Sequence, residues 1–229
     1  MEDVPATVWT PTTHPGPPLP LVLLGHGGSG HRHSDRVVAL AARFTSTGYA
    51  AAAIDGPFHG DRVPHPLTPA EYQARVADEG IGAVLDRIAA DWVATTAHLT
   101  EAGIADGTRV AYVGLSMGTR FGLPTAAALG PSLRCAVLGK FGLASSAAFH
   151  PALHAPDRVR HDAANITAPV LFHMQWDDEL FPRPDQLELF DTFPSTDKEL
   201  HAFAGRHSHT PQHAPGLWRS FVERHLAPA

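Results

Sequence analysis

The sequence predicts an α/β domain built on an open, mostly parallel sheet flanked by helices, and three observations carry that reading. Short runs rich in apolar and β-branched residues recur along the 229-residue chain, most of them separated by segments long enough for a helix. The inner runs are continuously apolar rather than alternating, as strands covered on both faces are. Glycines and prolines fall between the runs, where turns need them. A hydrophobic fraction of 44% supplies one sizeable core, so a single domain over residues 1–229 is expected.

Taken in order, a first edge strand is expected around Val4–Trp9, linked to the body by the proline-rich stretch Pro11 to Pro20. The next strands are Leu21–Leu24, Ala50–Ile54, Arg109–Gly114, Cys135–Leu138, Val170–Met174 and Leu200–Phe203. The strongest helical signal lies between Pro69 and Gly103. There Ile81, Val84, Leu85, Ile88, Trp92 and Leu99 recur at helical spacing and make one apolar stripe. Thr68-Pro69-Ala70-Glu71 marks its start, with Thr68 capping, Pro69 in the first turn and Glu71 completing a capping box. Further helices are expected near Ser34, from Thr119 towards Leu129, and over Pro215–His225, where Leu217, Trp218, Phe221 and Val222 share one side. In such a sheet the loops after the strands gather along one edge, where ligands bind. Functional residues should therefore follow the apolar runs directly.

A net charge of -6 gives no electrostatic ground for nucleic acid or an anionic membrane as partner. No apolar run approaches the roughly 20 residues that a membrane span needs. Met1-Glu2-Asp3-Val4-Pro5 lacks the basic start and apolar stretch of a signal peptide. The one cysteine, Cys135, cannot form an internal disulfide, which fits a reducing compartment; the cytoplasm is the expected location. Oligomeric state stays open at this level.

Four segments pass the strand-end filter. Gly114-Leu115-Ser116-Met117-Gly118 follows an apolar run and precedes a helix, so Ser116 would sit on a sharp strand-to-helix turn that small neighbours make possible. The start of that helix offers free N–H groups to a developing oxyanion. Leu24-Gly25-His26-Gly27-Gly28-Ser29-Gly30 is a glycine-rich loop after the second run. It matches neither dinucleotide nor P-loop spacing, which leaves no cofactor motif. Gly28 and Met117 are the expected oxyanion donors, and His26 is expected to be structural. After Val170–Met174 come Asp177, Asp178 and Glu179, any of which could orient a histidine. Beyond the last run, Gly205-Arg206-His207 places His207 at a turn. The chain order of serine, acid and histidine is that of the nucleophile-elbow hydrolases. Phe58, Phe141, Phe149, Trp176, Phe181 and Met117 lie near the same edge and are expected to line an apolar pocket.

These residues resemble the α/β-hydrolase superfamily and, within it, the dienelactone-hydrolase-like esterases. The resemblance runs from about Leu21 to near the C-terminus. It rests on His26-Gly27-Gly28, the Gly114–Gly118 motif, Asp55-Gly56-Pro57-Phe58-His59-Gly60-Asp61, Asp178-Glu179-Leu180-Phe181-Pro182 and Gly205-Arg206-His207. It implies Asp178, four residues before Pro182, as the acid. It also implies Ser116 where dienelactone hydrolases proper carry cysteine, hence a serine esterase acting on a small-molecule ester. The stretch from Phe141 to Ala168 is too short for a large cap, so the cap should be small or absent and the pocket open. Two rival readings are a metal-dependent hydrolase using His31, His33 and Asp35, and a non-catalytic binding protein on the same scaffold. Arg36 stands where further metal binding would need a ligand, which weighs against the first. The set Ser116, His207 and an acid weighs against the second.

Overall fold

The computed structural model describes residues 4–12, 16 and 18–227. Among them seven strands form one sheet. They are β1 (Ala6–Trp9), β2 (Leu19–Gly25), β3 (Ala50–Ile54), β4 (Ala105–Gly114), β5 (Leu133–Gly139), β6 (Val170–Gln175) and β7 (Lys198–Phe203), in the spatial order β1-β3-β2-β4-β5-β6-β7. Each neighbouring pair is parallel except β1 and β3, which run antiparallel at one edge. All seven expected strands are present, most of them longer than their apolar centres. β4 starts at Ala105 because Ala105 and Asp106 pair with Leu19 and Pro20 before the register shifts. The expected link at Pro11–Pro20 falls partly outside the described residues.

Continuous apolar strands are explained by two cores, one on each face of the sheet. Leu21 and Leu23 of β2 and Val110 and Tyr112 of β4 pack towards helices α3 (Ile81–Glu101), α4 (Met117–Leu129), α5 (Pro156–Ala164) and α6 (Arg183–Thr192). The intervening Val22, Leu24, Ala111 and Val113 pack towards α1 (Asp35–Thr45) and α7 (Ala214–Leu226). Each buried Leu or Val on such a strand contributes roughly 1.5–3 kcal/mol, so both layers are needed to hold the sheet. Among the described residues no helix is long and apolar enough to cross a membrane.

The helical stretch expected between Pro69 and Gly103 is two helices rather than one. Thr68 caps α2 (Pro69–Glu79) through a complete capping box with Glu71, as the sequence indicated. That helix stops at Gly80, whose φ of 88° takes the chain out of helical geometry. The apolar stripe belongs to α3, where Val84, Leu85, Ile88, Trp92 and Leu99 are buried. The break frees α2 and the chain before it to lie over the C-terminal edge of the sheet.

β2 is the strand from which the chain goes first one way, to β3, and then the other, to β4. The loops leaving β2 and β4 therefore diverge, and a crevice opens between their ends at Gly25 and Gly114, which are paired in register.

Three histidines, His26, His59 and His173, are buried in this frame without an acidic hydrogen-bond partner, and two of them are strongly shifted. His26 bridges loops by accepting a hydrogen bond from the Gly56 amide at 2.8 Å, and burial pushes its pKa down to about 4. His173 on β6 shares a 2.9 Å hydrogen bond with Gln175 and stacks on Phe203, and burial pushes its pKa down to about 3. Both folded-state values lie below the unfolded value near 6.5, so the unfolded chain binds the extra protons as the solution is acidified. Stability is full above about pH 6.5 and is lost as pH falls towards these values. Urea unfolding at pH 7 and pH 5 should show a loss of about 2 kcal/mol per histidine. His26→Gln, which keeps an acceptor and removes the titration, should lose correspondingly less between the two pH values.

Candidate active site

The turn at Ser116 is the most constrained piece of backbone in the crevice. Its φ of 61° and ψ of -118° are unusual for a residue with a side chain, a strain of roughly 1–3 kcal/mol that the surroundings must hold. The Ser116 amide donates to Gly139 O of β5 at 2.9 Å. Thr119 accepts from the Gly139 amide at 2.7 Å and lies 2.8 Å from Gly114 O, tying the start of α4 to the ends of β4 and β5. A Cβ at Gly118 would stand 3.0 Å from Gly25 O, and one at Gly114 would stand 2.7 Å from Gly118 O. The two glycines of the motif are there for close backbone approach.

Ser116 Oγ lies 2.9 Å from His207 Nε2, and His207 Nδ1 lies 2.9 Å from Asp178 Oδ2. The other Asp178 oxygen accepts from the amides of Leu180 and Phe181 at 2.9 and 3.0 Å, and its side chain is 1% exposed. The three consecutive acids thus separate by partner. Asp177 accepts from the Gly205 amide at 3.3 Å, Asp178 faces the imidazole, and Glu179 accepts from the His207 amide at 2.9 Å. All three hold the same turn.

Gly28 lies beside the nucleophile turn, since a Cβ placed on it would be 4.0 Å from Met117 Cβ. Neither the Gly28 nor the Met117 amide has a protein acceptor among the described residues. Arg32 and the buried Asp55 fasten the Gly28 loop to the loop after β3. Asp55 accepts from the Arg32 amide at 2.8 Å and from the Asp61 amide at 2.9 Å, and the Arg32 guanidinium bridges Asp55 and Asp61. His59 adds a contact from Nε2 to Gly28 O at 3.1 Å.

A cavity of about 590 Å³ opens over Ser116 and His207. Phe58, Phe141, Phe149, Phe181, Met117 and Gly28 border it, as expected. Trp176 does not. It sits outside the cavity, 46% exposed, with the Arg183 guanidinium 3.8 Å from its ring centroid. The cause is strand pairing: its amide still donates to Phe203 O at 2.7 Å, which fixes the chain direction at this point.

One wall of the pocket comes from outside the stretch expected to cap it. Val63, Pro66, Leu67 and Tyr72, from the segment leading into and along α2, form one wall of it. The stretch from Phe141 to Ala168 supplies only a short turn of 3-10 helix (Pro151–Leu153) and α5. The cover comes from the segment before Gly80, which reads in sequence as ordinary helix and loop.

Two buried cations escaped the sequence reading. Arg120 borders the cavity and is 6% exposed, with its guanidinium 5.5 and 5.7 Å from the rings of Phe141 and Phe149. The i,i+4 spacing from Ser116 was the available signal, because it puts Arg120 on the helix face nearest the nucleophile. Lys140, the residue after β5, is 1% exposed and reaches the His207 turn. Nothing in its sequence context marks it.

The histidines of the rival metal reading are otherwise engaged. His33 Nε2 lies 2.7 Å from Thr7 Oγ1, and His31 Nδ1 accepts from the His33 amide at 3.2 Å. No group of three or more metal-ligating side chains converges among the described residues.

Solved structures resemble this chain over nearly its whole length. The PEG-bound complex of a novel cold-adapted esterase from an Arctic intertidal metagenomic library is 30% identical, with a TM-score of 0.79, covering 97% of this chain and 88% of its own. A putative dienelactone hydrolase from Klebsiella pneumoniae subsp. pneumoniae MGH 78578 is 21% identical, with a TM-score of 0.75 and coverage of 100% and 94%. Acetyl xylan esterase from Paenibacillus sp. R4 is 20% identical, with a TM-score of 0.71 and coverage of 97% and 80%. The last two share the fold, which is the α/β-hydrolase fold. No curated protein sequence matches the chain significantly. The family model described as "Dienelactone hydrolase family" matches residues 4–220, from the entry into the first strand to well inside the last helix, and the chain belongs to the dienelactone hydrolase family.

Proposed function

We propose that this chain, a carboxylic ester hydrolase, works through an acyl-enzyme on Ser116. The observation that carries the reading is the unbroken hydrogen-bonded series from Ser116 Oγ through the His207 ring to the buried Asp178 carboxylate. In this scheme His207 Nε2 takes the Ser116 proton as Oγ attacks the ester carbonyl. The Gly28 and Met117 amides receive the oxyanion, a stabilisation in which each donor is worth about 3–4 kcal/mol. His207 then passes its proton to the departing alkoxide, and water, activated by the same ring, releases the acid. Asp178 keeps the ring oriented and balances the imidazolium that forms in each half-reaction.

Arg120 narrows the substrate class. A buried guanidinium without a counter-ion is costly, and an apolar side chain of similar length would fill the same space. Among the described residues no carboxylate pairs with it; the Tyr72 hydroxyl lies near it, and the two aromatic rings offset only part of the cost. A substrate bearing a carboxylate would supply the missing charge to a donor fork shaped for it. The favoured substrates are therefore small esters with an anionic group within reach of Arg120.

Ser116→Ala should lower turnover of 4-nitrophenyl butyrate by at least about 10⁴-fold while leaving the thermal midpoint close to wild type. Undiminished turnover in that variant would end the proposal. Monomethyl glutarate and dimethyl glutarate, followed by acid release, separate the charge effect from pocket size. Arg120→Met should reduce kcat/KM for the charged half-ester by about 10- to 100-fold and leave the neutral diester within a few-fold, matching one charged hydrogen-bonding site. Equal losses on both substrates would remove Arg120 from substrate recognition.

A further inference from the structure

Lys140 is a buried ammonium with no carboxylate within ion-pair distance among the described residues. Its three donors are all spent on one short segment: His207 O at 2.9 Å, His209 O at 2.7 Å and Thr210 Oγ1 at 2.7 Å. The residue holds a φ of 48°, rare for a residue with a side chain, and its amide donates to His173 O at 2.8 Å. This backbone turn fixes where the side chain starts, directly beside the strand end that also accepts the Ser116 amide.

The other anchors of the His207 turn come from the opposite side. Gln175, Asp177 and Glu179 hold Ala204 O, the Gly205 amide and the His207 amide, all on the chain entering the histidine. Lys140 alone among these holds the His207 carbonyl and the chain leaving it. With its amide on Glu179 and its carbonyl on Lys140, His207 cannot rotate about its own backbone without breaking one of them.

We propose that Lys140 is a positioning residue for the Ser116–His207 pair, its ammonium clamping the main chain on the far side of His207 so that the imidazole stays within hydrogen-bond reach of the serine. The inference rests on the reading of His207 as the base. A compact group with three donors suits three acceptors around one point, and a neutral amine would offer only two donors and turn a lone pair towards an oxygen.

The clamp therefore depends on charge. The groups facing it are Arg36 from α1, Asp178 from the loop after β6, His173 from β6, and His207 and His209 on the clamped segment. Burial first, then Arg36, lowers the Lys140 pKa, with Asp178 opposing, to about 8. The clamp is complete below that value and loosens as pH rises through it. Stability runs the other way. A lysine whose folded pKa lies below its unfolded value near 10.4 favours the folded state increasingly between the two, so loss of activity there is not loss of fold.

The test compares wild type, Lys140→Met and Lys140→Arg on 4-nitrophenyl butyrate from about pH 6 to about pH 10, with thermal midpoints and Ser116 labelling by a fluorophosphonate. Lys140→Met should lose about 10- to 100-fold in kcat and in labelling rate, with KM changed less than about 3-fold, the size of effect expected from a displaced base. Its alkaline limb near pH 8 should vanish. Lys140→Arg, charged throughout, should recover part of kcat and show no such limb. Wild-type kcat in the methionine variant, or an unmoved alkaline limb in the arginine variant, would overturn the proposal. The arginine variant decides alone if the methionine variant fails to fold. Turnover retained in Ser116→Ala would sink the base reading beneath it, and that outcome is distinct from a failure confined to Lys140.

Discussion

Everything at the site depends on a backbone that is held where it would not choose to be. Ser116 sits at positive φ because three strand ends and a helix start meet there with almost no space between them. Its amide is spent on β5, Thr119 ties β4 to β5, and the Tyr112 hydroxyl donates to Gly118 O at 2.7 Å beneath the turn. Relaxing the turn would break several buried hydrogen bonds at about 1–3 kcal/mol each, more than the strain it would relieve. The strain persists because the packing is stronger.

His207 is placed by different physics. Its turn follows the edge strand β7 and is exposed or half-buried, so apolar burial does little to fix it. Polar anchors do so instead. Asp177, Glu179 and a glutamine hold the incoming chain, Asp178 holds the ring, and one lysine holds the outgoing chain. Asp177 and Glu179 bind amides rather than the ring, so the acidic run is a mounting for the histidine as well as its partner. A single carboxylate would orient the imidazole, but would leave the turn that carries it free to shift.

The sheet was legible because its causes are local: continuous apolar runs, spaced by turn residues, can be read one segment at a time. Ser116, His207 and the acidic run Asp177 to Glu179 were legible for a related reason, since parallel strands send their following loops to one edge whatever the rest of the chain does. The choice among Asp177, Asp178 and Glu179 was not legible from the residues alone, because all three reach the same turn and differ only in which atom they meet. The helix break at Gly80 was missed because glycine inside a helical pattern is tolerated often enough that the apolar stripe outweighed it. Trp176 was misplaced because adjacency to a strand end does not say which way a side chain leaves it. Arg120 and Lys140 were passed over for a deeper reason. Basic residues are mostly exposed, and only the fold reveals that these two are enclosed.

That enclosure links the cover of the pocket to its chemistry. The segment carrying Val63, Pro66, Leu67 and Tyr72 shuts water away from one side of a cavity already lined by Phe58, Phe141, Phe149 and Phe181. Among such low-dielectric walls a charge acts over a greater distance than it would at the surface. On the proposed reading, the same wall that makes an unpaired Arg120 guanidinium costly would make it selective for an anionic substrate. A neutral ester would leave the cation unpaired, whereas a charged one would remove the imbalance. Gly80 matters to function on this account although it touches no substrate. By ending α2 it lets the segment that bears Val63, Leu67 and Tyr72 stand against the cavity, beside the Arg120 guanidinium on which the proposed selectivity rests.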